Sequence, residues 1–376
     1  MRILFVSNTA NFQKFNHPYM KWCHENGWTV DYACPDDEKV LYCDNYININ
    51  MPRSPLHLIK IFNAINKLRK SLYFNNYDII HCHTPVGAVV ARIAGYKLWK
   101  EKKVKIIYTA HGFHFYKGSP IKNWIFFYPI EKFLANFTDV LITINREDFY
   151  MCQKKNFNSK MIVKFDGVGV NLDKFSTGDI YEKTRLRNKL GFSDNDFILL
   201  YIAEFIPRKN HEMLISVISE LKKEIPNIKV LLPGKGKTLE KIKNYVKQLG
   251  LEDVITFLGY RNDISDLCKA SDVYCTTSLQ EGLPISVIEA MSSGLPLVVS
   301  DIRGQNDVVT ENRNGFLFHL NDPKKLITSV LTLYKTPSLL NSIRENNIQD
   351  CKKFSVEIAV DKMSKIYSNC LNSNNE

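Results

Sequence analysis

The chain has 376 residues, of which 45% are hydrophobic and 24% charged, with a formal net charge of +11. That length suffices for two domains of ordinary size, and it contains no run of 18 or more apolar residues to cross a membrane. Nine cysteines without a single Cys-x-x-Cys pair argue against a metal cluster or a disulfide framework and fit a reduced cytosol.

The basic excess is unevenly shared. Residues 1–175 hold 24 Lys and Arg against 14 Asp and Glu, whereas residues 176–376 hold 26 against 25. Such asymmetry points to an anionic partner for the first half: nucleic acid, a membrane surface or a phosphorylated substrate. With no nucleic-acid motif and no basic tail, the membrane and phospholipid-like substrates stand first.

Strand-like and helix-like segments alternate along the chain. The opening Met1–Ser7 turns polar too soon for a signal peptide and reads as a first buried strand over Arg2–Ser7. A helix is expected over Pro18–Asn26, a strand over Thr29–Cys34, a long helix over Leu56–Tyr73 and a strand over Asp78–Cys82. A helix at Gly87–Trp99, a strand at Lys105–Ala110, a helix at Trp124–Phe137 and a strand at Val140–Ile144 follow. After a looser stretch, Ser176–Asp196, the pattern restarts with a strand at Phe197–Ala203 and a helix at His211–Glu224. Strands at Lys229–Leu232 and Val254–Phe257 flank a helix at Leu239–Leu249, and a short helix spans Ile264–Lys269. A strand at Asp272–Thr276, a helix at Ile285–Ser293, a strand at Leu297–Ser300 and a final helix at Ser355–Leu371 complete the series. Short, continuous apolar strands are those of parallel sheets covered on both faces. Two successive arrays imply two doubly wound α/β domains facing a central cleft. The first domain is expected over 1–178 and the second over 179–354, with 355–376 a helix that packs back on the first.

Ligands of open α/β sheets bind at the C-terminal ends of strands, and unusual residues collect there. His81 and His83, then His111, Glu204, Gly234 and Gly236, and Ser278 all end strands. His81 and His83 are read as facing opposite sides of their strand, which leaves no metal pair.

The most informative stretch is Ser278 to Glu289. Glu281 and Glu289 bracket seven residues where a strand turns into a helix. Gly282 leaves room for an anion, Pro284 suits the first helical turn, and Gly294 suits the stop. The N–H groups of Leu283, Ile285 and Ser286 would face that anion, helped by the helix dipole. Carboxylates accept hydrogen bonds and diols donate them. A diphosphate between two such acids describes a nucleotide sugar. Arg208 and Lys209 precede a helix N-terminus, a poor place for cations unless they hold phosphate. Gly234-Lys235-Gly236 is either a phosphate-approaching turn or an ordinary strand–helix turn. The loop Asn8–Lys14 has no glycine, which argues against a dinucleotide site there. His111 beside Gly112 could touch a sugar hydroxyl or assist a proton, while His114 reads as structural. The aromatic stretch Trp124–Leu134, with Lys117, Lys122 and Lys132, and the stretch around Leu58, Ile59, Phe62, Ile65 and Leu72 are each either core or a membrane interface.

Together, Asp78–Thr84, Tyr108–Gly112, Arg208-Lys209-Asn210, Gly234-Lys235-Gly236, Phe257–Ile264 and the Glu281–Glu289 pair resemble the family 4 glycosyltransferases of GT-B fold. The likeness covers nearly the whole chain. It is closest to the bacterial capsule, exopolysaccharide and O-antigen subgroup, where Thr109–Gly118 is familiar. The resemblance implies an acceptor domain followed by a donor domain, a nucleotide-sugar donor with UDP as the nucleotide, no metal or other cofactor, and retention of anomeric configuration. Carried onto this chain, Glu281 would hold the transferred sugar, Glu289 the ribose, Lys209 the diphosphate, and His111 the sugar near the reacting centre. Arg208, Gly234, Gly236, Gly282, Leu283 and Ile285 join the donor side, with Arg261 in the loop that frames the base. Asn8, His83, Phe113 and Tyr116 are expected on the acceptor side. One departure is Glu204, which stands where many relatives carry an arginine; Arg208 is expected to take over its phosphate.

The leading expectation is therefore transfer of a hexose or N-acetylhexosamine to a polyprenyl-diphosphate-linked saccharide, by an enzyme peripheral to the inner face of the plasma membrane. A nucleotide-sugar epimerase on the same fold and a non-catalytic nucleotide-sugar-binding protein are the alternatives.

Overall fold

The computed structural model describes residues 1–36 and 40–372. The chain forms two compact units. One comprises Met1–Gly169 together with the segment from Val356 onward, and the other Val170–Ser355. Residues 170–178, expected in the first domain, thus belong to the second unit, and the chain returns to the first unit for its last helix. That helix, Val356–Asn372, lies on the first unit's helix Gln13–Glu25; positions 373–376 of the expected terminal segment lie outside the described residues.

The first unit is built on seven strands: β1 (Arg2–Val6), β2 (Thr29–Cys34), β3 (Asn45–Asn48), β4 (Ile79–His83), β5 (Lys105–Ala110), β6 (Val140–Thr143) and β7 (Met161–Lys164). All pair in parallel, in the order β3-β2-β1-β4-β5-β6-β7. The central strands β4 and β5 are buried along their whole length, as helices on both faces require. Two edge strands, β3 and β7, escape the sequence pattern. Each has no fully buried residue, so neither shows a continuous apolar run.

The second unit carries six parallel strands: β8 (Phe197–Leu200), β9 (Ile228–Pro233), β10 (Ile255–Gly259), β11 (Val273–Thr276), β12 (Leu297–Ser300) and β13 (Gly315–Phe318). Their order is β10-β9-β8-β11-β12-β13. In both sheets the chain starts in the middle, builds outward in one direction, then returns to build in the other. The reversal lies between β1 and β4 in the first sheet and between β8 and β11 in the second. Loops on either side of such a reversal diverge and leave a crevice at the strand ends.

Several helices differ from expectation, and those at Arg146–Lys154, Pro323–Lys335 and Pro337–Asp350 were not expected at all. The first α-helix of the chain begins at Gln13, with Pro18 inside it rather than at its start. A helix at Ile180–Leu190 occupies the stretch read as loose; its charged sequence hides the apolar stripe of Leu186. Pro284 caps the helix Ile285–Ser292 from just outside, with an extended backbone, instead of sitting in its first turn.

Candidate donor and acceptor sites

In the second unit the expected donor residues fall at the reversal between β8 and β11. The loop after β8 carries Glu204, Arg208 and Lys209, and the loop after β11 carries Glu281 and Gly282. The two loops are stitched together. Leu279 N–H donates to the Arg208 carbonyl at 2.7 Å. The Thr277 hydroxyl donates to the Asn210 carbonyl at 2.8 Å, and the buried Tyr201 hydroxyl donates to the Lys209 carbonyl at 2.5 Å while meeting Ser278 Oγ at 3.0 Å. Asn210 adopts a left-handed backbone (φ 49°), which turns the chain sharply from the cations into the helix His211–Glu224. These bonds fix where the two cations point.

They point at one carboxylate. Lys209 Nζ pairs with Glu281 Oε1, and Arg208 Nη1 lies 3.4 Å from Oε2 of the same group. Arg208 also donates to the Gln280 carbonyl at 3.3 Å. Lys209 and Glu281 are largely buried, whereas Arg208 is half exposed. Two positive charges face one negative charge here, so the cluster has a surplus cation that an anionic ligand could meet. The Glu281 backbone is held from behind: buried Arg303 donates from Nε to its main-chain carbonyl at 3.2 Å. A Cβ on Gly304 would sit 2.3 Å from the Gly282 carbonyl oxygen, so only glycine permits that loop to press so close. Glu204, the expected departure from the family pattern, is exposed.

Gly234 and Gly236 have another explanation than a phosphate. Their φ angles are 155° and 154°, and a Cβ at either would lie 2.0 Å from the Ala203 oxygen or 2.4 Å from the Phe205 oxygen. The Gly-Lys-Gly turn presses against the loop that carries the cations. Phe205 N–H donates to the Lys235 carbonyl at 2.9 Å, and Thr238 N–H to Phe205 O at 2.9 Å. Phe205 in turn stacks on His211 at 4.2 Å. Arg261, past the end of β10, makes a two-pronged ion pair with Asp263 at 2.8 and 2.5 Å. Glu289 is half-buried on the helix Ile285–Ser292, and Leu283 is buried just ahead of it. The first N–H groups of such a helix have no intrahelical acceptor.

In the first unit, Asn8, His83 and His111 follow or end β1, β4 and β5, three neighbouring strands. His83 Nδ1 and His111 Nε2 lie 3.2 Å apart, so one ring donates to the other. Phe12 packs edge-on against His111 at 4.6 Å. Asn8 N–H donates to Thr84 Oγ1 at 3.2 Å. Thr84 has a φ of +61°, rare for a β-branched residue, at the reversal itself. His81 and His83 do not face opposite sides as expected: their rings are 4.2 Å apart. Residues two apart on a strand share a face, which the sequence reading had inverted. His81 is held between the Tyr367 hydroxyl at 2.7 Å and Thr109 Oγ1 at 2.8 Å, which ties the last helix to β4 and β5. Burial pushes the pKa values of His81 and His111 down to about 3 and drives that of His83 well below its ordinary range. All three are neutral near pH 7, so they can exchange hydrogen bonds with a hydroxyl but carry no charge for a phosphate. Tyr116 is half-buried. Phe113, expected at the acceptor, is instead a core residue: it is buried and stacks on Phe115 at 4.8 Å.

Sequence reasoning missed Tyr201, Arg303, Gly304 and Phe12. Only Gly304 carried a visible signal, a glycine just after a predicted strand; the others act through contacts that no local pattern announces. Among the described residues, no group of three His, Cys, Asp or Glu side chains converges to hold a metal ion.

Comparison with known proteins matches residues 2–145 to a "Glycosyl transferase 4-like" family and residues 182–350 to "Glycosyl transferases group 1". The chain is 36% identical over 368 residues to EpsD of Bacillus subtilis (strain 168), a protein assigned to the glycosyltransferases, covering 98% of this chain and 96% of that one. It is 29% identical to the UDP-Gal:alpha-D-GlcNAc-diphosphoundecaprenol alpha-1,3-galactosyltransferase of Escherichia coli, over 92% of this chain and 87% of that one. Among solved structures, HepE of Anabaena in complex with UDP-glucose superposes with a TM-score of 0.82 at 19% identity, covering 98% of this chain and all of that one.

Proposed function

Because this chain belongs to the group 1 glycosyltransferases, of GT-B fold, we propose that it moves a hexose or N-acetylhexosamine from a UDP-sugar to a polyprenyl-diphosphate-linked saccharide, with retention of configuration and without a metal. The observation that carries this reading is the convergence of Arg208 and Lys209 on Glu281 at the reversal of the second sheet. Negative charge builds on the diphosphate as it leaves the anomeric carbon, and preorganised cations and amides stabilise such charge. In this reading Lys209, Arg208 and the N–H groups around Leu283 and Ile285 receive the diphosphate. Glu281, released from Lys209, accepts hydrogen bonds from the sugar hydroxyls, and Glu289 from the ribose. No acid is placed as a nucleophile in this reading; the acceptor hydroxyl attacks from the face the diphosphate leaves, and the leaving phosphate takes its proton.

The likeness to an Escherichia coli enzyme whose name specifies UDP-Gal and a diphosphoundecaprenol-linked acceptor supports the donor and acceptor classes. The likeness in fold to a protein solved with UDP-glucose fits the donor class alone. No helix among the described residues is long and apolar enough to cross a membrane; we place the enzyme peripherally at the inner face of the plasma membrane, where such acceptors are presented. The test is a panel of UDP- and GDP-sugars with a diphosphoundecaprenol-linked GlcNAc acceptor in detergent. Nucleoside diphosphate released only when the lipid acceptor is present supports transfer. Epimerised donor without acceptor, or tight binding without turnover, would overturn it.

A further inference from the structure

The helix Ile121–Ala135 is apolar nearly all round, yet only one side of it is covered. Trp124, Phe127 and Tyr128 pack on the first unit's core, and Leu134 and Ala135 are buried. On the other side Ile121, Ile125, Phe126 and Phe133 are 75, 60, 67 and 62% exposed. Helices of globular proteins ordinarily turn polar residues to water, and an apolar patch of this breadth marks a contact surface. The outward face is fixed by chemistry on the inward one. Glu131 is buried, with Arg92 Nη2 at 2.6 Å and the Tyr108 hydroxyl at 3.2 Å. Rotating the helix to hide Phe126 would break that buried ion pair, which is strongly unfavourable.

A second patch lies in the same layer. Leu56, Leu58, Ile59 and Phe62, at the start of the helix Leu58–Asn75, are 85, 73, 79 and 63% exposed. Helices Leu58–Asn75, Pro85–Lys100 and Ile121–Ala135 pack side by side after β3, β4 and β5. A helix that connects parallel strands runs back against them, so its first turn stands at the edge where strands end. Both patches therefore begin at the edge that carries His83 and His111. No Asp or Glu occurs in residues 45–77 or 111–130, while Arg53, Lys60, Lys67, Arg69, Lys70, Lys117 and Lys122 do. Cations without acids beside an apolar face match an anionic leaflet. A second copy docking through the same face would bring like charges together, which disfavours a two-fold pair.

We propose that the exposed faces of Ile121–Phe133 and Leu56–Phe62 form one membrane-docking edge of the first unit, specific for anionic lipid. Ile125, Phe126 and Ile59 enter the boundary between headgroups and acyl chains, and Lys60, Lys117 and Lys122 lie at the phosphates. This rests on the lipid-linked acceptor proposed above and adds the surface and the lipid charge. The test uses the full chain with phosphatidylcholine vesicles, with and without about one third phosphatidylglycerol, read by co-sedimentation at low and high salt. Wild type is expected to sediment with the anionic vesicles and to be released as salt rises. I125D/F126D and K117E/K122E are each expected to lower partitioning roughly tenfold or more. Their melting temperatures, and their transfer rates with acceptor dispersed in detergent, should match wild type. Wild type that stays in solution, or variants that sediment as wild type does, would overturn the proposal. So would a wild-type dimer that either variant turns into monomer, since the face would then belong to a protein interface. Absence of transfer in detergent by every form, with vesicle binding intact, would instead sink the proposed activity and leave the docking edge standing.

Discussion

Lys209 and Glu281 neutralise each other across the crevice of the second unit, joining the loop after β8 to the loop after β11. In the proposed reading a diphosphate draws Lys209 away from Glu281, and a sugar draws Glu281 away from Lys209. A nucleotide sugar does both at once. Glu281→Gln is expected to bind UDP several-fold more tightly than wild type, because the competing carboxylate charge is gone, while transfer falls about 100-fold or more. Calorimetry with UDP and a transfer assay read the two effects. Parallel loss of UDP affinity and transfer would refute the exchange.

Arg208 tests the substitution at Glu204. Lys209→Ala and Arg208→Ala should both weaken UDP binding, Lys209→Ala by about 100-fold and the half-exposed Arg208 by about tenfold. UDP affinity unchanged in Arg208→Ala would show that Arg208 does not replace the missing arginine.

Glu289→Ala should divide the two activities the other way. Its loss removes an acceptor from the ribose side, so UDP affinity drops about tenfold while turnover at saturating donor falls less. Kinetics in donor concentration separate the terms, and a kcat loss larger than the KM change would contradict the assignment.

Gly236→Ala should fail as a structural variant. Its Cβ would meet the Phe205 backbone within 3 Å at a φ that L-residues rarely adopt. A loss of about 2–4 kcal/mol in stability is expected, visible in urea melts. A stable Gly236→Ala protein with weakened UDP binding alone would return this turn to phosphate recognition.

Acid should unfold the protein through its buried histidines. The pKa values of His81 and His111 are lowered to about 3, and burial together with Lys209 lowers that of His211 to about 4. Below pH 6.5 the unfolded chain binds protons that these folded rings refuse. Their stabilising contribution is full above that pH and declines as pH falls toward 4, by about 1.4 kcal/mol per unit for each ring. Urea melts between pH 7.5 and 5 measure the slope, and His211→Phe, which keeps the stack on Phe205, should reduce it by about one proton. An unchanged slope would mean that His211 takes up its proton while folded.

The sequence pattern located the buried strands well and the edges poorly. A central strand such as β5 is apolar throughout and bounded by turns, so its position is written locally. Edge strands such as β7, half exposed, carry no such mark. The residues expected on the donor side stood out because they follow strands and are chemically out of place there, as two cations before a helix are. What stayed hidden was how they are held. Arg303 reaches Glu281 from a third loop, and nothing local announces that approach. The error at His81 and His83 was one of periodicity and not of missing information. Phe113 was misplaced because an aromatic residue beside a ligand loop looks alike whether it points in or out.

The last helix has a consequence for how the protein is made. Residues 170–355 leave the ribosome before 356–372, so the second unit has its whole chain while the first still lacks the helix whose Tyr367 caps His81. The first unit is thus the later one to mature, although most of it is translated first. A released chain ending at Ser355 should already protect β8–β13 from protease while leaving β4 and β5 open to cleavage.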